Sequence, residues 1–165
     1  MYNQAKIIME VFKFADKSML LAGNKEMSAT TERSQTLKVI LDSNAYFIPL
    51  QFKIDIFGEV ERLLNRHVDF VLLSPVKREL EVLSTKDSPK IRRQAIFALK
   101  LAEKSIYVPI EEEKITTDDA IVKVAKAWKC PVFTNDRQLR MRLRDISVPV
   151  IYLRQKSRLV IDGLI

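Results

Sequence analysis

From Leu37 onward, short apolar runs alternate with longer amphipathic stretches, and this alternation limits the fold more than any other feature of the chain. Strand-like runs fall at 37–41, 70–73, 106–109, 131–134 and 148–153. Helical spacing of apolar residues occurs between them, near 55–65, 75–84, 89–104, 117–128 and 136–144. Pro75 suits the first turn of its helix, where a missing N–H costs nothing, and Thr116 or Thr117 is placed to cap the helix that begins with Asp118. Strands alternating with helices predict an α/β protein, a three-layer sandwich whose central, mostly parallel sheet is covered by helices on both faces.

Upstream of this pattern, Ile8, Val11, Phe12, Ala15 and Met19 recur at helical spacing, which predicts an amphipathic helix within residues 1–22. A polar stretch over 23–36 reads as a linker, so the main domain is expected at 37–165. The apolar face of the first helix suits packing on its own domain or on a second copy in a homodimer. No internal repeat or low-complexity tract occurs.

Four acids occupy related places in the alternation. Asp42 closes the 37–41 run, Glu79 follows the 70–73 run, Asp118 opens the helix at 117–128, and Asp136 follows the 131–134 run. In an open α/β sheet such positions gather at the carboxyl ends of the strands, where ligands bind. Gathered carboxylates repel one another unless a cation lies between them. On a helical wheel Glu79 falls beside Val76 and Leu83 on the buried stripe, with Glu81 turned to solvent. Asp118 falls at the edge of its buried stripe and Asp119 points away, making Asp118 the inner ligand and Asp119 an outer or solvent-facing one. Ordinary duties compete with this reading. A Lys or Arg would serve Glu79 as a partner, and acids in the first helical turn favour the helix dipole by about 0.3–1 kcal/mol without any metal. Asp136 has the same alternative as a cap. Asp42 has none, because Ser43-Asn44-Ala45 starts no clear helix.

Charge supplies the second clue. The chain carries a formal +7, and Arg137, Arg140, Arg142, Arg144, Arg154, Lys156 and Arg158 face only Asp145 within 137–158. Such a tract is the footprint of a polyanion or else a solvated helix face. Beside an acidic cluster it points to a divalent-metal centre acting on nucleic acid. A single cysteine, Cys130, excludes an intramolecular disulfide and a cysteine-built zinc site; its apolar neighbours mark it as a small buried hydrophobe. His67 alone cannot build a histidine-rich site, and beside Arg66 at a helix end it is expected in solvent. Neither a G-x-G-x-x-G nor a P-loop string occurs. An aspartyl-nucleophile phosphatase would want a second aspartate where Asn44 stands. No run approaches the roughly 20 apolar residues of a membrane span and no secretory signal is visible, so a cytoplasmic protein is expected.

The strings Val39-Ile-Leu-Asp-Ser-Asn-Ala45, Asp118-Asp-Ala-Ile-Val122 and Thr134-Asn-Asp136, together with Glu79, resemble the motifs of PIN-domain ribonucleases over about residues 37–155. The string Phe47–Phe57 and the ending Val148–Leu153 are similar to an archaeal branch related to the eukaryotic PIN endonuclease of small-subunit rRNA processing. Ser43 stands where threonine is commoner in the family, a change that keeps the hydroxyl. The resemblance implies a PIN-like sheet sandwiched by helices and an endoribonuclease that cleaves single-stranded RNA with one or two Mg²⁺ or Mn²⁺ ions. It places the catalytic acids at Asp42, Glu79, Asp118 and Asp136, with Asp119 nearby. Ser43, Asn44 and Thr134 then support the ligands or contact phosphate, and Arg137, Arg140, Arg142 and Arg144 bind RNA. Ribosome-assembly factors are the partners this branch implies. The toxin of a toxin–antitoxin pair shares the four acids and would bring an antitoxin partner. A PIN fold that binds RNA without cutting it is the third reading.

Overall fold

β1 (Leu37–Leu41) lies in the middle of the sheet, and its composition explains why. Val39, Ile40 and Leu41 are all fully buried, so both faces of the strand are covered, as a parallel sheet requires. The computed structural model describes residues 36–86, 88–112 and 114–165. The helix expected at 1–22, and the linker as far as residue 35, lie outside the described residues. Residues 36–165 form one compact unit by themselves.

Around β1 are β2 (Val68–Leu73), β3 (Ile106–Val108), β4 (Val132–Phe133), β5 (Val150–Arg154) and β6 (Arg158–Asp162), in the order β3-β2-β1-β4-β5-β6. The first five run parallel, and β6 folds back antiparallel on β5. The mostly parallel sheet expected from the alternation is present, whereas β6 was not anticipated. The helices are α1 (Ile48–Phe52), α2 (Ile56–Leu64), α3 (Ser74–Ser84), α4 (Pro89–Ala102), α5 (Thr117–Trp128) and α6 (Arg137–Asp145). Pro75 does fall at the start of α3, and the Thr116 hydroxyl caps α5 by accepting from the Asp119 N–H at 3.1 Å.

One segment differs from expectation. Ser43–Phe47 forms a 3-10 helix that leads directly into α1, where no helix was expected. Its short, aromatic-rich sequence has no helical period to detect; it is fixed by tertiary contacts instead. Tyr46 is fully buried and its hydroxyl bonds the Ser105 Oγ at 2.9 Å, tying the exit of β1 to the approach of β3.

The chain steps outward from β1 to β2 to β3, then crosses back to β4 on the other side of β1. That reversal opens a crevice at the carboxyl ends of β1 and β4. Register sets what stands in it. Leu41 pairs with Phe133, the Asp42 N–H donates to the Phe133 carbonyl at 3.0 Å, and the Thr134 N–H donates to Ile151 at 3.0 Å. Asp42 and Thr134 are therefore held side by side by backbone bonds. Each buried aliphatic side chain stabilises by about 1.5–3 kcal/mol, so the three in β1 help offset the cost of a charged group at its end. Cys130, between α5 and β4, is 3% exposed and burial pushes its thiol up to about 12, in keeping with a structural role. No helix among the described residues is long and apolar enough to cross a membrane.

Candidate active site

Asp42 is 4% exposed and sits at the floor of a cleft of about 500 Å³. Its carboxylate accepts three hydrogen bonds: the Ser43 N–H on Oδ1 at 2.7 Å, and on Oδ2 the Thr134 hydroxyl at 2.6 Å and the Asn44 amide at 2.5 Å. Asp42 thus caps the 3-10 helix, correcting the expectation that no helix begins there for it to cap. A cap alone would be satisfied at the surface, and this one is not. Burial, together with Glu79 and Asp118, pushes its carboxyl up from 3.8 to about 6, against the opposing pull of Thr134 and Ser43. At neutral pH that shift corresponds to about 3 kcal/mol against the folded protein.

Thr134, fully buried, is the junction of the site. Besides donating to Asp42, its hydroxyl accepts the Asp136 N–H at 3.0 Å. Asn44 and Asn135 extend the lattice across three strand ends. The Asn44 side-chain oxygen accepts the Asn135 N–H at 2.9 Å, and the Asn135 side-chain oxygen accepts the Leu153 N–H at 2.8 Å. Asn135 lies inside the Thr134-Asn-Asp136 string, yet its bracing of β5 could not be read there, because its partner is distant in sequence.

The other acids form the rim. Asp118 is half-buried at the first turn of α5, and its carboxyl is raised, first by burial and then by Asp136 and Asp119. Asp119 is exposed and shifted the opposite way, because the Arg142 guanidinium and the Thr116 hydroxyl bond it. The inner and outer ranking of this pair from the helical wheel agrees with their burial. Asp136 is exposed and caps α6 through the Leu139 N–H at 2.9 Å. Glu79 is exposed, not buried as the wheel implied. Its position on α3 does point inward beside Val76 and Leu80, but what it faces is the open cleft rather than a protein wall.

The arginines divide. Arg142 lines the cleft and bridges the rim, bonding Asp119 and lying 3.9 Å from Asp118. Arg140 stacks its guanidinium 4.1 Å from the Tyr152 ring, and Arg144 is engaged by Asp162 at 3.1 Å. Arg137 is exposed. The tract expected to act as one RNA-binding surface therefore points in two directions. His67 is in solvent beside Glu61, as expected.

Asp42, Ser43, Asn44, Glu79, Asp118, Asp119 and Asp136 line one cleft, with Thr116 and Thr117, which the sequence offered only as caps. All the donors are hard oxygens, the set that suits Mg²⁺ or Mn²⁺. Among the described residues, no three His, Cys, Asp or Glu side chains stand close enough together to hold one ion directly. A cation in this cleft would have to be reached partly through water, the habit of Mg²⁺.

Comparison with known proteins agrees with this fold. Residues 39–156 match the family described as a PIN like domain. Ribonuclease VapC4 of Methanocaldococcus jannaschii is 33% identical over 129 residues, covering 78% of this chain and 98% of the relative. Ribonuclease VapC9 of Archaeoglobus fulgidus is 29% identical over 140 residues, 84% of this chain and 99% of the relative. The solved structure of the PIN domain endonuclease Utp24 superposes with a TM-score of 0.64 at 28% identity, covering 78% of this chain and 96% of that one.

Proposed function

Since the chain belongs to the family of PIN-like domains, we propose that it is a metal-dependent endoribonuclease that hydrolyses single-stranded RNA in the cytoplasm. The observation that carries this reading is the buried Asp42 carboxylate, raised to about 6 and held by Thr134, Ser43 and Asn44 at the floor of an acid-lined cleft. A protein keeps so costly an arrangement when the site uses it.

Asp42, Asp118 and Asp136 would hold Mg²⁺ or Mn²⁺ partly through water, with Asp119 outermost. Such an ion, when bound, lowers the pKa of water and offsets charge on the phosphate oxygens. Asp42 presents its remaining acceptor capacity upward into the cleft, and Thr134 keeps its orientation fixed. Glu79, exposed at the rim, would position attacking water or a second ion. Arg142 holds Asp119 in place and neutralises part of the acidic rim. Ser43 and Asn44 brace Asp42, and the α6 arginines Arg137 and Arg140 draw the phosphate backbone toward the cleft.

Incubating a labelled RNA in Mn²⁺, Mg²⁺ or EDTA, beside the Asp42→Asn protein, tests this. Cleavage confined to the wild type with metal is expected. Equal cleavage in EDTA, or by the Asn variant, would remove the metal centre from the mechanism, and binding without cleavage would leave an RNA-binding protein. Two settings fit the chemistry. The Phe47–Phe57 string and the Val148–Leu153 ending favour small-subunit rRNA processing alongside ribosome-assembly factors. The likeness to relatives named VapC favours a toxin with an antitoxin. Cleavage at a single site in precursor rRNA would identify the first; inhibition by a small protein encoded next to this gene would identify the second.

A further inference from the structure

The turn between β5 and β6 concentrates positive charge where a hairpin ordinarily avoids it. Arg154 and Arg158 are directly opposed across the ladder, and Lys156 stands between them in the turn. Like charges so placed work against pairing. The backbone is unfavourable as well: Gln155 (φ 51°) and Lys156 (φ 57°) are both left-handed, a geometry usually given to Gly or Asn. The Ser157 N–H closes the turn on the Arg154 carbonyl at 3.2 Å. Residues 154–158 are all exposed, and Arg154, Lys156 and Arg158 have no ion-pair partner among the described residues. In the same basic tract, Arg142 and Arg144 are both paired with acids.

Topology brings this cationic tip to the edge of the sheet that bears the cleft. β5 runs parallel to β1 and β4, so its carboxyl end and the turn beyond it lie at the same edge as Asp42. The Asn135–Leu153 bond anchors the residue just before Arg154 to the loop carrying Thr134 and Asp136. Two strand spacings, about 10 Å, separate β1 from β5. By the two-residue alternation of strands, Arg154 and Arg158 share a face with Tyr152, whose ring carries Arg140. Arg137 lies one turn before Arg140 on that side of α6. Cations and an aromatic ring thus form one stripe leading from α6 to the hairpin tip.

We propose that this tip, with the Arg140–Tyr152 pair, is a second RNA subsite that holds the phosphate backbone of a single strand running out of the cleft. It rests on the reading of the cleft as a ribonuclease centre. Three exposed cations on a braced strand end match repeated phosphates, and the Tyr152–Arg140 stack is the kind of platform single strands use.

The test uses the full chain carrying Arg154→Gln, Lys156→Gln and Arg158→Gln together, beside a charge-keeping Arg154→Lys/Arg158→Lys protein. Binding of a labelled, unstructured RNA is followed by anisotropy in EDTA across a salt series. Loss of three phosphate contacts should lower the slope of log K against log salt by about 2. The charge-keeping protein should retain the wild-type slope. In metal, kcat/KM should fall for the long RNA and stay unchanged for a trinucleotide confined to the cleft. An unchanged slope in the triple variant would overturn the subsite, leaving the tip to another partner such as an acidic polypeptide. Equal loss in the charge-keeping protein would overturn it too, by assigning the effect to hairpin structure. Failure of the wild type to cleave in any metal would instead sink the ribonuclease reading, and the EDTA binding comparison would still report on the hairpin.

Discussion

Asp42 and Asp119 line the same cleft, yet their environments push them in opposite directions. Asp42 is buried, bonded only by neutral donors, and its carboxyl rises to about 6. Asp119 is exposed at the rim, bonded by Arg142, and its carboxyl falls. The floor stores unfavourable charge that a cation would relieve, whereas Asp119 on the rim is already neutralised by Arg142. Two aspartates of one site are therefore not equivalent ligands, and the difference lies in which elements reach them. Asp42 follows the central strand and meets Thr134 from the next one, while Asp119 sits on a helix end open to solvent and to α6.

The largest expected effect sharpens this contrast. Asp42→Asn should lower metal-stimulated RNA cleavage by on the order of 10³-fold, with a cooperative melt retained. Asp119→Asn should cost far less in the same assay, and equal losses would dissolve the distinction between floor and rim. The stability of the metal-free protein offers the next largest effect. Between about pH 4 and 6 the native Asp42 keeps a proton that the unfolded chain has released. Its contribution is therefore most favourable below 3.8 and worsens as pH rises to about 6, by about 3 kcal/mol in all. Urea melts across that range should show the decline in wild type and a flatter profile in Asp42→Asn. A profile identical in both would place the titration elsewhere.

Thr134→Val comes third, removing the hydroxyl while keeping the shape. With its bond gone, Asp42 should be harder to ionise, so the acid limb of the cleavage pH profile should move upward and activity fall about 10–100-fold. A profile that stays in place would mean Thr134 merely fills space. The smallest effect is expected for Arg142→Gln. This exposed pair should change activity by roughly a fewfold and thermal stability hardly at all, seen by initial rates and a melting scan. A loss rivalling that of Thr134→Val would give the rim arginine a direct part in phosphate binding.

Much of the architecture was legible because strands buried on both faces read as continuous apolar runs and amphipathic helices have a clear period. The β1 run and α5 are examples, and the acids followed from where those elements end. Less visible was whatever depends on contacts between distant segments. The 3-10 helix after Asp42 has no period and is held by Tyr46 reaching Ser105. Glu79 lies on the inward stripe, but a wheel cannot tell a packed wall from an open cleft. The arginines of α6 look uniform along the chain, and only the positions of α5 and β5 separate Arg142 from Arg140. Asn135 is visible in the chain only as part of a motif and not as a brace, since Asn44 and Leu153 meet it only in three dimensions.

Cys130 turns these comparisons into a controlled experiment. Its sulfur is shielded and held as the unreactive thiol, so alkylating reagents should modify it only in molecules that have opened. It is the chain's sole cysteine, and one mass addition therefore counts one opening event. Every variant above carries this internal clock, which separates an enzyme that has lost its chemistry from a preparation that is coming apart.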